Sequence, residues 1–154
     1  MATDLSALLQ DGVIIPLQDV SSRKQAIHAL CEALSAATGI GARAIEDAVM
    51  ERERLGSTGV GEGVAIPHAR LPGLEKPVGG FMRLLHGVDF EAIDERPCDL
   101  VFMLLAPDGS GADHLRALAQ VSRVFRQGPV RDGLRKARTV EDVRAVICKE
   151  SVSG

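Results

Sequence analysis

Tryptophan and tyrosine are absent from this 154-residue chain, and aromatic residues make up only 3% of it. The stacking platforms that single-stranded nucleic acid or sugar rings require are therefore missing. Cysteine is sparse and odd in number: Cys31, Cys98 and Cys148 lie far apart and form no CxxC. Buried free thiols fit that distribution better than a disulfide framework, a redox pair or zinc. His28, His86 and His114 have no HxH or HxxxH spacing, so neither a metal nor another cofactor is expected. No apolar run reaches the ~18 residues of a membrane span, and Met1–Gln10 lack a basic segment followed by an apolar one. A cytoplasmic protein without membrane insertion is expected. The formal net charge of -3 supplies no general attraction to nucleic acid or anionic lipid. Any bound anion must be held by local geometry.

What is present is an apolar fraction of 45%, enough for one core, and residues 1–154 read as a single domain. A short helical turn is expected at Leu5–Leu9, and a strand at Val13-Ile14-Ile15 stopped by Pro16. Ser21 or Ser22 caps a helix to about Thr38, with an inward stripe of Ile27, Leu30, Leu34 and Ala37, closed by Gly39-Ile40-Gly41. A second helix covers Ala42 to Leu55 with the stripe Ile45, Ala48, Val49, Arg52 and Leu55. Strands are expected at Val64-Ala65-Ile66, Phe81–Leu85 and Val88-Asp89-Phe90, with a loop over Leu71–Pro77 and a turn at His86-Gly87. The unbroken apolar run Asp99–Ala106 predicts a central strand covered on both faces. Two helices follow. One starts near Ala112, with Ser110 and Asp113 at capping-box spacing and Leu115, Leu118, Ser122 and Phe125 inward. The last starts after Thr139, with Asp142 as its capping partner and Val143, Val146 and Ile147 buried. The order predicts an α/β sandwich, about five strands flanked by helices on both faces.

Four glycines crowd into positions 56–63, just ahead of Val64-Ala65-Ile66-Pro67-His68. Gly56 and Gly61 have the separation of a nucleotide P-loop, but Glu62 stands where Lys is required, and the run leaves a helix rather than entering one. A G-x-G-x-x-G reading meets Val64 or Ile66 instead of glycine. What remains is a loop of small residues, Ser57, Thr58, Gly59, Gly61 and Gly63, able to offer N–H donors to phosphate. Pro67 restricts the backbone that presents His68. His68 is then either an ordinary histidine after a tight turn or a nucleophile. Arg52 continues an apolar stripe, so it either serves an anion near the loop or sits at the core rim, paired with a carboxylate such as Glu53. His114 stands in the first turn of its helix, as a surface residue or as a neutral donor to an anionic oxygen. His28 lies on a polar face near Glu32 and reads as solvated. A neutral imidazole with a guanidinium beside it suits phosphoryl acceptance as phosphohistidine.

The segment Glu51–His68, together with Asp99–Pro107 and Asp113–Ala119, resembles the signature of the fructose/mannitol-type (type 2) IIA components of the bacterial phosphotransferase system. The resemblance covers about the whole chain. It implies a central mixed sheet, phosphorylation of His68 at Nε2, Arg52 as the site arginine and His114 as the site's second histidine. Ala69 departs from the glycine common after that histidine. Leu8-Leu9, Val13-Ile14-Ile15 and Val20–Ala26 are similar to the nitrogen-regulatory members. Those are stand-alone regulators phosphorylated by a histidine-containing, HPr-like phosphocarrier protein. They signal to partners such as potassium-transport and sensor kinase proteins. One alternative is a sugar-transport component that passes phosphate to a fructose/mannitol-type IIB domain. Another is a binding module that works without phosphorylation, against which the intact His68 and Arg52 argue.

Overall fold

The computed structural model describes residues 4–109 and 111–148. The chain runs α1 (Ser6–Leu9), β1 (Val13–Gln18), α2 (Arg23–Thr38), α3 (Ala42–Leu55), β2 (Gly59–Gly61), β3 (Val64–Ala65) and β4 (His68–Leu71). It continues with β5 (Val78–Val88), β6 (Cys98–Pro107), α4 (Gly111–Phe125), α5 (Gly128–Lys136) and α6 (Val140–Ile147). Six strands form one mixed sheet in the order β1-β5-β6-β3-β2, with β4 also paired to β6. β6 is central: it runs antiparallel to β5 and parallel to β3 and β4.

Strand alternation divides the core in two. On β6, Val101, Met103 and Leu105 join α2 and α3 through Ile27, Leu30, Leu34, Ile45 and Val49. Leu100, Phe102 and Leu104 face α1, α4, α5 and α6 through Leu9, Val121, Val124, Leu134, Val143 and Ile147. The sheet is thus covered on both faces, which is why β6 carries no polar alternation.

The helix ends follow local chemistry. The Ser22 side chain accepts a hydrogen bond from Gln25 N at 3.1 Å and caps α2, a contribution of about 1 kcal/mol. Gly39 closes that helix, and Thr139 with Asp142 forms a reciprocal capping box on α6. Cys31 and Cys98 are buried free thiols, and burial pushes both up to about 12, so neither supplies a thiolate at neutral pH; Cys148 is half-buried.

Several expectations change. β1 does not stop at Pro16 but runs to Gln18: it is the sheet's edge strand, and Pro16 sits where its pairing with β5 shifts register, between Ile15 and Gln18. Phe81–Leu85 and Val88–Phe90 are not separate strands around a turn. One strand, β5, passes through His86-Gly87, and the pairing register shifts between Arg83 and Val88. Six strands form where about five were expected: β2 at Gly59–Gly61 and β4 at His68–Leu71 are additional, while the two strands expected over Phe81–Phe90 merge into β5. The stripe of α4 departs from expectation at its start: Leu115 is 67% exposed and His114 faces inward, whereas Phe125 is buried and Leu118 packs partly buried against the core, as expected, joined by Ala117, Val121 and Val124. Ala37 and Leu55 are exposed rather than inward. The short helix α5 was not expected; its start is marked by Pro129 in the first turn. The expected cap at Ser110 falls outside the described residues.

Candidate functional site

Three elements converge at one end of the sheet. β3 pairs with Leu100 and Val101, and β4 resumes along the same edge of β6 with His68 opposite Leu104. Between them Ile66 N donates to Thr58 O at 2.9 Å, and Leu104 N donates to Pro67 O at 2.9 Å. Pro67, with no N–H to offer a ladder, sits at the break. The break leaves the Ile66 carbonyl free to face the following imidazole, and His68 Nδ1 lies 2.9 Å from Ile66 O. A carbonyl only accepts, so Nδ1 carries the proton in the neutral ring. Nε2 then holds the lone pair.

His68 is half-buried, and burial holds its pKa below the usual 6.5. The Arg52 charge acts in the same direction, and the Ile66 carbonyl partly opposes them. The His114 ring centroid lies 5.4 Å from that of His68, at an interplanar angle of 47°. His114 is only 9% exposed, its Nδ1 has no hydrogen-bond partner, and burial lowers its pKa, with smaller contributions from His68 and Arg70. Both imidazoles are therefore predominantly neutral at pH 7.

Arg52 comes from the last turn of α3, and its Nη1 donates to Gly56 O at 2.8 Å. It does not pair with Glu53. That neighbour is itself buried: its Oε2 accepts from the Thr58 hydroxyl, and its Oε1 lies 3.5 Å from Arg23 Nη1. Arg52, His68 and His114 line one open cleft of about 660 Å³, joined by Arg70, Leu55 and Leu115.

The five small-loop residues are not brought to this cleft. The Ser57 hydroxyl donates to Phe90 O and the Thr58 hydroxyl to Glu53. A Cβ on Gly59 would lie 2.8 Å from Ala92 Cβ. Gly61 lies in the β2 edge strand beside Asp94, and a Cβ there would come within 3.4 Å of that carboxylate. Gly63, at φ +79°, leaves the space that the Arg135 guanidinium fills, and that guanidinium binds Glu62 O and Asp99. Glycine is needed here for close packing of the loop, so the expected phosphate cradle does not follow from its placement.

Sequence reasoning missed Arg70 and the Arg23–Glu53–Thr58 network. Arg70 was legible in principle, since it stands two residues after His68 and shares its face of β4. Nothing in the local pattern marks Arg23 as the partner of a carboxylate on another helix. Among the described residues no group of His, Cys, Asp or Glu could hold a metal ion, and no helix is long and apolar enough to cross a membrane.

With this fold and cleft in place, comparison with known proteins assigns the class. The family model described as "Phosphoenolpyruvate-dependent sugar phosphotransferase system, EIIA 2" matches residues 7–150, and the chain belongs to that family. Within it, a nitrogen regulatory protein of Bradyrhizobium diazoefficiens is 44% identical over 143 residues, covering 93% of this chain and 94% of the relative. A fructose-specific EIIA component of Haloferax volcanii is 37% identical over 149 residues, covering 94% and 97%. The crystal structure of the nitrogen regulatory protein IIA-Ntr from Neisseria meningitidis superposes with a TM-score of 0.84 at 31% identity, covering 93% and 98%.

Proposed function

We propose that the protein is a phosphoryl carrier whose nucleophile is His68 Nε2, and that residues 1–154 act as one cytoplasmic domain of this type. The observation that carries the reading is the Nδ1 contact to Ile66 O, which leaves the Nε2 lone pair as the nucleophile of a cleft-lining ring. The donor is an HPr-like phosphocarrier bearing a phosphorylated, protonated imidazole. The Nε2 lone pair attacks phosphorus in line with the donor's P–N bond. That bond breaks, and its electron pair returns to the donor nitrogen, so the donor leaves as a neutral imidazole. His68 keeps its Nδ1 proton and ends as an N-phosphorylated imidazolium. Charge and protons balance without a separate base, which suits a site that works by positioning and charge stabilisation. Arg52, its Nη1 anchored on Gly56 O, directs its other N–H groups at the oxygens of the PO3 group in transit. His114 acts as a neutral second imidazole at 5.4 Å.

The similarity to nitrogen regulatory proteins over nearly the whole chain supports an output read as phosphorylation state by nitrogen- or potassium-regulatory partners, including sensor kinases. The fructose-specific relative supports a second reading, in which phosphate passes to a fructose/mannitol-type IIB domain. Incubation with phosphoenolpyruvate, the system's first enzyme and its carrier, followed by intact mass measurement, tests the shared chemistry. One acid-labile phosphoryl group is expected on the wild type and none on His68→Ala. An unmodified wild-type mass would overturn the reading. Adding a fructose-type IIB domain separates the two outputs: rapid loss of the label to IIB favours transport, and retention favours regulation.

A further inference from the structure

We propose that Arg70 is a second anion-binding guanidinium of this cleft, one that engages the phosphoryl oxygens on His68 from the α4 side while Arg52 engages them from α3. The inference rests on the phosphohistidine reading of His68.

Alternation along β4 turns Ala69 and Leu71 into the core and leaves His68 and Arg70 on the face that lines the cleft. The Arg70 guanidinium lies over the start of α4: its Nη1 is 3.6 Å from where a Cβ on Gly111 would stand. A cation at a helix N-terminus is opposed by the helix dipole, so this placement is unfavourable for an empty site. An anion between the two reverses the sign of both interactions.

Among the described residues Arg70 also lacks a compensating carboxylate. Among the described residues neither it nor Arg52 forms an ion pair within 4.0 Å, although Glu51 and Asp108 line the same cleft. Glu51 pairs with Arg54 instead. Beside them His114, nine-tenths buried, has a ring nitrogen with no hydrogen-bond partner. Two uncompensated guanidiniums, a helix start and a buried imidazole therefore meet at one nucleophile. A phosphoryl group presents three equatorial oxygens, more than the remaining N–H groups of one anchored guanidinium can reach from a single side. Arg70 is placed to serve the side that Arg52 does not.

The test compares wild type, Arg70→Gln, Arg70→Lys and His68→Ala. Each protein is phosphorylated with phosphoramidate, a small-molecule donor that needs no carrier, and the phosphoryl resonance is titrated by 31P NMR. Inorganic phosphate is separately titrated into the unphosphorylated proteins, with the His68 and His114 ring protons as the readout. Arg70→Gln is expected to weaken phosphate binding about tenfold and to raise the phosphoryl pKa by about one unit, the size of one charge-assisted contact. Arg70→Lys is expected to fall between, since it keeps the charge and loses the fork. A folded Arg70→Gln protein with wild-type phosphate affinity and wild-type phosphoryl pKa overturns the role of Arg70 and leaves that of His68 intact. Absence of a His68-dependent phosphoryl resonance in the wild type overturns the parent reading, and this one with it.

Discussion

Thr58→Val removes one hydroxyl and little else, and that hydroxyl belongs to a buried hydrogen bond to a carboxylate. Thr58 is 4% exposed, and its hydroxyl donates to Oε2 of a carboxylate that is itself buried. The other oxygen of Glu53 makes no hydrogen bond and has only the Arg23 guanidinium at 3.5 Å. Glu53 is 6% exposed, too buried for solvent to replace the lost donor readily, so the variant forfeits most of a hydrogen bond to a charged group, about 1.5–3 kcal/mol. For a domain of this length that corresponds to a fall in Tm of about 3–12 °C. The effect should reach the site through the backbone, because Thr58 O holds Ile66 N and Ile66 O holds His68. Urea denaturation followed by circular dichroism measures the loss, and a double-mutant cycle with Glu53→Gln isolates the coupling. The pair should couple by more than 1 kcal/mol in such a cycle, on the order expected for a shared buried network. A Thr58→Val protein within about 0.5 kcal/mol of wild type, the usual range for an inconsequential surface change, would refute the idea that this network fixes the approach to His68.

Three further outcomes can be checked. Because burial first, and then the Arg52 charge, hold the His68 pKa below 6.5, more than half of the ring is neutral at pH 6.5. Phosphoryl acceptance should therefore keep more than half of its plateau value at pH 6.5, with its half-loss lying below that; half-loss at or above pH 7 contradicts the lowered value. The sign for stability is the same: His68 and His114 take up protons more readily unfolded, so their contribution is full above about pH 6.5 and is lost as pH falls through the lowered folded values. Leu55, 82% exposed at the cleft rim, should contact the incoming carrier, so Leu55→Glu should raise KM for the carrier severalfold with kcat nearly unchanged; an unaltered KM removes Leu55 from the docking face. Gly63→Ala places a Cβ at φ +79° and 2.3 Å from Arg135 Nη2, and should lower stability by at least about 1 kcal/mol in urea denaturation.

Elements whose ends are marked by a residue's own chemistry were readable from the sequence. Ser22 and Gly39 bound α2, Thr139 and Asp142 open α6, and the continuous run of β6 identifies the strand with helices on both faces. Elements decided by partners were not. The end of β5 is exposed at Leu85, His86 and Gly87, so no burial pattern records that the strand continues. Pro16 reads as a stop unless β1 is already known to lie at the edge of the sheet. In α4 Leu115 misleads while Leu118 does not, because the residue that faces inward at the helix start is His114. A histidine in an apolar stripe weakens a periodicity signal at the place where the site needs it.

The glycine run illustrates the difference between a motif's visibility and its role. Its density suggested a surface prepared for phosphate, yet its hydroxyls and glycine faces are turned to Phe90, Glu53, Ala92 and Arg135. Small residues there let a hairpin seat closely against the 89–95 segment and against Asp99, and that seating fixes Thr58 O beneath Ile66 N. The break at Ile66-Pro67 then directs a carbonyl to Nδ1, which on the proposed reading leaves Nε2 as the nucleophile. The loop thus acts on the site through the backbone it holds. The side chains that can meet an anion come from three other elements: Arg52 from α3, Arg70 from β4 and His114 from α4. On this argument, substitutions within residues 57–63 should change stability and the precision of the His68 ring, whereas substitutions of Arg52 and Arg70 should change affinity for the phosphoryl group itself.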